Sequence, residues 1–217
     1  MIPYNIFQTA YMAPDIEAVV ALATRRLGSP RMHGRADVQL TISAFSLDLA
    51  APGIGFESFP GLQIFGYPLR PTCTCRIDIV KANPAAPPRI RPNYLATEHN
   101  RRITIDMVRL MRRMATAASL AAVIERETFP ADAMPDEDEA IVAATRQDQS
   151  RAHAVGTCRI GTDDRAVVDP RLRVHELNGL RVMDCSVMPT QVSGNSNAPV
   201  MAMAVHAARI IAEDGRA

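Results

Sequence analysis

Apolar residues recur along this chain at two spacings, and the alternation between them sets out its elements. From Ile16 to Leu27 the segment IEAVVALATRRL repeats at helical spacing and ends in Arg-Arg-Leu-Gly, which predicts a helix with its stop signal. After a turn of glycine, proline and histidine, Val38–Phe45 (VQLTISAF) alternates and is rich in branched residues, the signature of a strand. Ser46–Pro60 contains two glycines and two prolines and reads as a loop. Further strands are predicted at Leu62–Tyr67 and Cys73–Val80. In the second, Cys73, Cys75, Ile77 and Ile79 alternate with Thr74, Arg76 and Asp78, which predicts an antiparallel sheet with one polar face. Pro84–Pro92 is the densest stretch of proline and must run extended, as a strap over the surface.

The helical rhythm then returns. After Asn100, Arg101 and Arg102, the apolar positions Ile103, Met107, Leu110, Met114, Ala117, Ala121 and Ile124 predict the longest helix of the chain, reaching about Arg126. Pro135 and the acidic run Asp136–Glu139 open a second helix to about Ser150, with its negative charge where the helix dipole favours it. Glycine-bounded turns follow, with a short strand at Leu180–Met183 and a turn-rich stretch, Pro189–Asn197. A final helix carries Val200, Met203, Ala204, Ala207, Ile210 and Ile211 on one face, with Asn197 as its N-cap and Pro199 in its first turn. Its unpaired N–H groups therefore follow directly on Ser193-Gly194-Asn195-Ser196-Asn197, an end that favours partial negative charge.

Composition narrows the range of partners. With 217 residues, 47% of them hydrophobic, the chain can build a substantial core in one domain or two small ones. Its 24 basic and 23 acidic side chains nearly cancel, which argues against nucleic acid as a partner because phosphate binding needs a concentrated basic surface. No apolar run approaches the roughly 20 residues of a membrane span, and no secretory leader is recognisable, so the expectation is a cytoplasmic protein. Four cysteines are too few for a disulfide scaffold and lack metal-site spacing, so structural thiols and no metal are expected.

Two places carry candidate chemistry. His153, in AHAVGTCRIG, follows a helix and precedes a glycine turn, and histidine is the commonest general acid or base. Taken alone, a surface or capping role is the more frequent one, as for His33, His99, His175 and His206. Asn195 and Asn197 could bind an oxygen or simply cap the following helix.

The stretches His153-Ala154-Val155-Gly156-Thr157-Cys158-Arg159-Ile160-Gly161, Val168-Asp169-Pro170, Leu172-Arg173-Val174, Gly179 to Pro189 and Ser193 to Pro199 together resemble the C-terminal part of the glucose-methanol-choline (GMC) oxidoreductases, choline-dehydrogenase-like flavoenzymes that oxidise alcohols. Arg70-Pro71-Thr72, Pro87-Pro88-Arg89-Ile90 and Pro92-Asn93-Tyr94-Leu95 resemble that family's substrate-domain segment more loosely, with Cys73-Thr74-Cys75 where members usually have Ser-Arg-Gly and Asn83-Pro84 where they have Asp-Pro.

The resemblance implies an α+β fold. An antiparallel-sheet substrate-domain segment with flanking helices, 1–152, would be followed at 153–217 by a catalytic segment with the C-terminal strand and helix of a split FAD-binding domain. It implies His153 as the base that removes the hydroxyl proton and Asn195 as the amide donor to the substrate oxygen. Asp184 and Cys185, at the end of the returning strand, would approach the ribityl or phosphate region of FAD. Asn197, Ala198 and Pro199 would lie near the flavin ring and favour negative charge on it. Pocket walls in the family come from the sheet and its loops, here Val38–Tyr67.

The family's Gly-x-Gly-x-x-Gly turn, which holds the FAD diphosphate, has no counterpart in this sequence; Gly53-Ile54-Gly55 is followed by Ser58 at the third position. FAD would therefore meet an incomplete site. The chain is expected to be one subunit whose partner is an FAD-binding N-terminal half, a truncated fragment, or a non-catalytic interaction module built on the same fold.

Overall fold

A computed structural model describes residues 6–12, 23–27, 36–48, 55–129, 136–147 and 153–215. In chain order its elements are β1 (Ile6–Met12), β2 (Ala23–Leu27), β3 (Val38–Ser43), β4 (Leu47–Asp48), β5 (Gly55–Phe56), β6 (Gly61–Pro68), β7 (Arg76–Asp78), β8 (Arg89–Arg91), α1 (Glu98–Ala115), α2 (Ala118–Ala121), β9 (Ile124–Phe129), α3 (Asp138–Gln147), a 3-10 turn (Cys185–Val187) and α4 (Asn197–Asp214). The α+β expectation holds at this level. By their contacts the residues form two compact units, one of 4–68 with 94–150 and one containing 69–93 and 151–217. The segment 69–93, grouped by sequence with the first domain, thus clusters with the C-terminal residues.

The first unit is a five-stranded sheet in the order β2-β3-β6-β1-β9, antiparallel throughout. Alternation on β3 and β6 sends Val38, Leu40, Leu62 and Ile64 to one face, where they form a core with Ile103, Met107 and Met111 of α1 and Ile141 and Val142 of α3. The opposite face is mixed, with Phe65 and Tyr67 beside Gln39, Thr41, Ser43 and Gln63, and these four polar residues are buried. Among the described residues, Gln39 Oε1 and Gln63 Nε2 have no hydrogen-bond partner.

Helix α1 starts at Thr97, whose hydroxyl oxygen accepts the N–H of Asn100 at 3.2 Å. Arginines on its outer side hold α3 by ion pairs, Arg102 to Asp138 at 2.7 Å and Arg109 to Asp138 at 3.0 Å. The acidic residues expected to favour the start of α3 therefore also dock it. Pro135 and residues 148–150 of that expected helix lie outside the described residues.

Several sequence expectations are corrected here. Ala23–Leu27 is a strand, not the end of a helix, because it pairs along its whole length with the otherwise unpaired edge of β3; residues 16–22 lie outside the described set. The long helix expected over 103–126 stops at Ala115. Thr116 turns its hydroxyl back to the Arg113 carbonyl at 3.0 Å, Ala117 is extended, and Ile124–Phe129 pairs with β1. Sheet pairing outweighs local helix preference, which amounts to less than about 1 kcal/mol per residue.

In the second unit, the strand expected over Cys73–Val80 shrinks to Arg76–Asp78, which pairs with Arg89–Arg91 of the proline-rich strap as a separate ribbon. Asp78 lies against the guanidinium of Arg76 and 3.4 Å from that of Arg91. The C-terminal residues gather around Val168, Leu172, Val187 and Ala207. The strand expected at Leu180–Met183 is reduced to a single antiparallel bridge, Arg173 with Arg181, supported by the Val182 N–H donating to Leu172 O at 3.1 Å. No parallel neighbour extends it among the described residues. No helix among them is long and apolar enough to cross a membrane.

Candidate active site

The site is assembled in the second unit from turns that side chains close upon themselves. In Val168-Asp169-Pro170, Asp169 Oδ1 accepts the backbone N–H groups of Arg171 and Arg173 at 2.8 and 2.9 Å, and Oδ2 accepts Arg173 Nε at 2.9 Å. Burial pushes the Asp169 carboxyl up, and these donors more than reverse it, so it titrates below the ordinary range. Asp184 does similar work one turn later: its Oδ1 accepts the Ser186 N–H at 2.7 Å and starts the 3-10 turn. That turn in turn fixes the segment after His153, because Cys158 N–H donates to Ser186 O and Ile160 N–H to Val187 O, both at 3.0 Å.

His153 stands at the head of this segment, half-buried, at φ 62°. A non-glycine residue there carries a backbone cost of roughly 1–3 kcal/mol, the kind of conformation that clusters at functional sites. Gly156, three residues on, sits at φ 92°, where a side chain would be strained. The His153 ring reaches across 43 residues of sequence, Nδ1 lying 3.0 Å from Ser196 Oγ. Ser196 is the residue between Asn195 and Asn197, so the histidine stands beside the turn that carries the expected amide.

That turn is itself polar and held from several sides. Arg70 Nη1 donates to Ser193 Oγ at 2.8 Å, and the buried Gln191 donates to Gly194 O at 3.4 Å. Asn195 is exposed, and the first turn of α4, with Asn197, Ala198 and Pro199, follows. The N-cap is Ser196, not Asn197, a shift of one residue that leaves Asn197 inside the first turn. Asp184 and Cys185 accept the backbone N–H groups of Val187 and Met188 within the 3-10 turn, and Asp184 faces outward.

Sequence reasoning did not single out Ser196, Arg70 or Gln191 for a role. Each lies in or near a quoted motif, but a serine before a helix reads as a cap, and an arginine 123 residues from its partner leaves no local signal. The four cysteines are free, and the described residues contain no cluster of His, Cys, Asp or Glu that could hold a metal ion.

The far end of α4 is fastened electrostatically. Arg171 and Arg181 both contact the Asp214 carboxylate, and Arg171 Nη2 donates to Ile210 O at 3.3 Å. The hydrogen bond from Arg171, then that from Arg181, hold Asp214 down at a pKa of about 2.

A family profile described as GMC oxidoreductase matches residues 71–204. The chain is 38% identical over 152 residues to an alcohol dehydrogenase [acceptor] of Pseudomonas putida, covering 68% of this chain and 28% of that protein. It is 36% identical over 151 residues to the mitochondrial choline dehydrogenase of Homo sapiens, covering 69% of this chain and 25% of the relative. Its fold matches the crystal structure of pyridoxine 4-oxidase from Mesorbium loti with a TM-score of 0.75, over 96% of this chain and 43% of that one, at 20% identity. The alignments to the two curated relatives thus span about a quarter of their length.

Proposed function

The chain belongs to the GMC oxidoreductase family, and from that premise we propose that it is the C-terminal, catalytic part of an FAD-dependent enzyme that oxidises the CH–OH group of an alcohol. The observation that carries this reading is the 3.0 Å contact between His153 Nδ1 and Ser196 Oγ, which sets an imidazole beside the amide-bearing turn.

The residues present fit one end of the cofactor. The 18-residue helix α4 has no acidic side chain in its first turn, and Asn197 and Ala198 are exposed there, so its N-terminal N–H groups favour a polar, electron-accepting ring. Ser186 Oγ, beside Asp184 and Cys185, is buried without a partner among the described residues, which suits a neighbour from the cofactor's side chain. The diphosphate has no glycine-rich cradle in this sequence and would be held by an N-terminal half. When bound, the flavin supplies a hydride acceptor.

Within the site, the His153 imidazole takes the proton of the substrate hydroxyl while the carbon-bound hydrogen leaves with its electron pair. The Asn195 amide donates to the same oxygen and stabilises the charge that develops on it; an amide cannot take the proton itself.

The test is co-expression with the N-terminal half of a relative such as the Pseudomonas putida enzyme. A co-purifying complex with the yellow flavin band, bleached on adding alcohol, is the expected result; a flavin-free complex overturns it. In the active complex, His153→Ala lowers turnover by roughly two to four powers of ten. A binding module is the competing reading, favoured by the exposed apolar residues Met201 and Val205 of α4; it requires a stable complex without flavin and indifferent to His153→Ala.

A further inference from the structure

We propose that Ser196 is the positioning residue of His153, and that its hydroxyl decides which imidazole nitrogen accepts the substrate proton. A serine at the start of a long helix ordinarily turns its oxygen onto the N–H groups of the first turn. Ser196 does not: it is the N-cap of α4, only 5% exposed, and its side chain makes no capping bond. Its oxygen instead lies 3.0 Å from His153 Nδ1.

The bond can run in either direction, and the two directions have opposite chemical consequences. If the hydroxyl donates, Nδ1 carries the lone pair and Nε2 the proton, so the ring edge turned from Ser196 is a donor. If Nδ1–H donates to Oγ, the lone pair sits on Nε2 and that edge is a base. Resting on the reading of His153 as proton acceptor, the geometry points to the second direction. Ser196 then fixes the tautomer, and the left-handed backbone at His153 aims the ring.

The experiment uses the full chain, labelled with 15N, and long-range proton–nitrogen correlation of its imidazoles, with the four other histidines as internal references. His153 is expected in the Nδ1–H form. Ser196→Thr, which keeps the hydroxyl, retains that form. Ser196→Ala shifts the population toward the Nε2–H form that unconstrained imidazole prefers. Should Ser196→Ala lose the native amide spectrum, Ser196→Cys, close in size with a weak donor and acceptor, gives the same comparison.

A wild-type His153 with its proton on Nε2, or a tautomer unmoved in the variant, overturns the assignment. In the reconstituted flavoenzyme, Ser196→Ala lowers kcat roughly tenfold or more, the usual cost of removing the partner that orients a functional histidine, and Ser196→Thr restores it; unchanged kcat also overturns it. The two readings fail separately. A wrong tautomer sinks the role of Ser196 and leaves alcohol oxidation standing, whereas a correct tautomer in a complex that never holds flavin sinks the oxidation alone.

Discussion

Gly66 has no room for a side chain. A Cβ there would lie 2.4 Å from Leu40 Cδ2, 2.7 Å from Met111 Cε and 2.9 Å from the Gln39 carbonyl oxygen; the two methyl ends can move, but the carbonyl belongs to the sheet ladder. Gly66→Ala should therefore lower stability by about 1–3 kcal/mol, read as a lower urea midpoint at unchanged m. Gln63 runs the other way. Its Nε2 is buried without a partner among the described residues, so Gln63→Met removes an unmet donor and should raise stability by about 1 kcal/mol; a fall would mean that the amide is already satisfied. Neither effect is visible in the sequence, where Gly66 is one glycine in a strand and Gln63 one polar position in an alternation. His153 was visible only through its motif, since nothing local separates it from a capping histidine. Ser196 was hidden because its hydroxyl abandons the role its position suggests.

Elements were legible where period and neighbours agree. Val38–Ser43 and Gly61–Pro68 carry a strand rhythm and sit between strands, and α1 carries a helical rhythm over a core. Reading failed where a distant partner decides. Ala23–Leu27 and Ile124–Phe129 became strands because β3 and β1 had edges to fill, which no window of sequence reports. The Leu180–Met183 strand failed for the converse reason: its rhythm is there, but among the described residues only the Arg173–Arg181 bridge pairs with it. At this scale the Asp214 fastening makes a pH prediction. Its carboxyl is depressed from 3.8 to about 2 in the folded chain, so the unfolded state binds the proton first. The stabilisation is complete above about pH 4 and is lost as pH falls through about 2. Wild-type urea midpoints should drop over that window more steeply than those of Asp214→Asn, which has no such carboxylate to protonate; parallel curves would contradict it.

For the molecule as a whole, the residues that no neighbour covers are as informative as the core. Ile79 is 90% exposed, and Met201 and Val205, four apart on α4, are 61% and 59% exposed, while Ala207 is the buried residue of that helix. In the proposed enzyme these faces are the expected docking surface of an FAD-binding half. Val205→Asp should leave the circular dichroism and melting of the isolated chain unchanged and weaken co-purification of the N-terminal half. Equal recovery of the complex would place the contact elsewhere. The family could be read from the order of motifs between His153 and Pro199, a stretch whose turns are closed locally by side chains such as Asp169 and Asp184. The two-unit grouping could not, because it joins 69–93 to residues much later in the chain.

Helix α4 is held by polar contacts at its two ends, by Ser196 on His153 and by Asp214 under Arg171 and Arg181, and between them it is packed through Ala207 and Met203. A rod of 18 residues is about 27 Å long, so the two grips act as the supports of a beam. Salt loosens the charged support and spares the neutral one. Raising ionic strength should then quicken amide exchange in the last turn of α4 more than in its first, beside the imidazole.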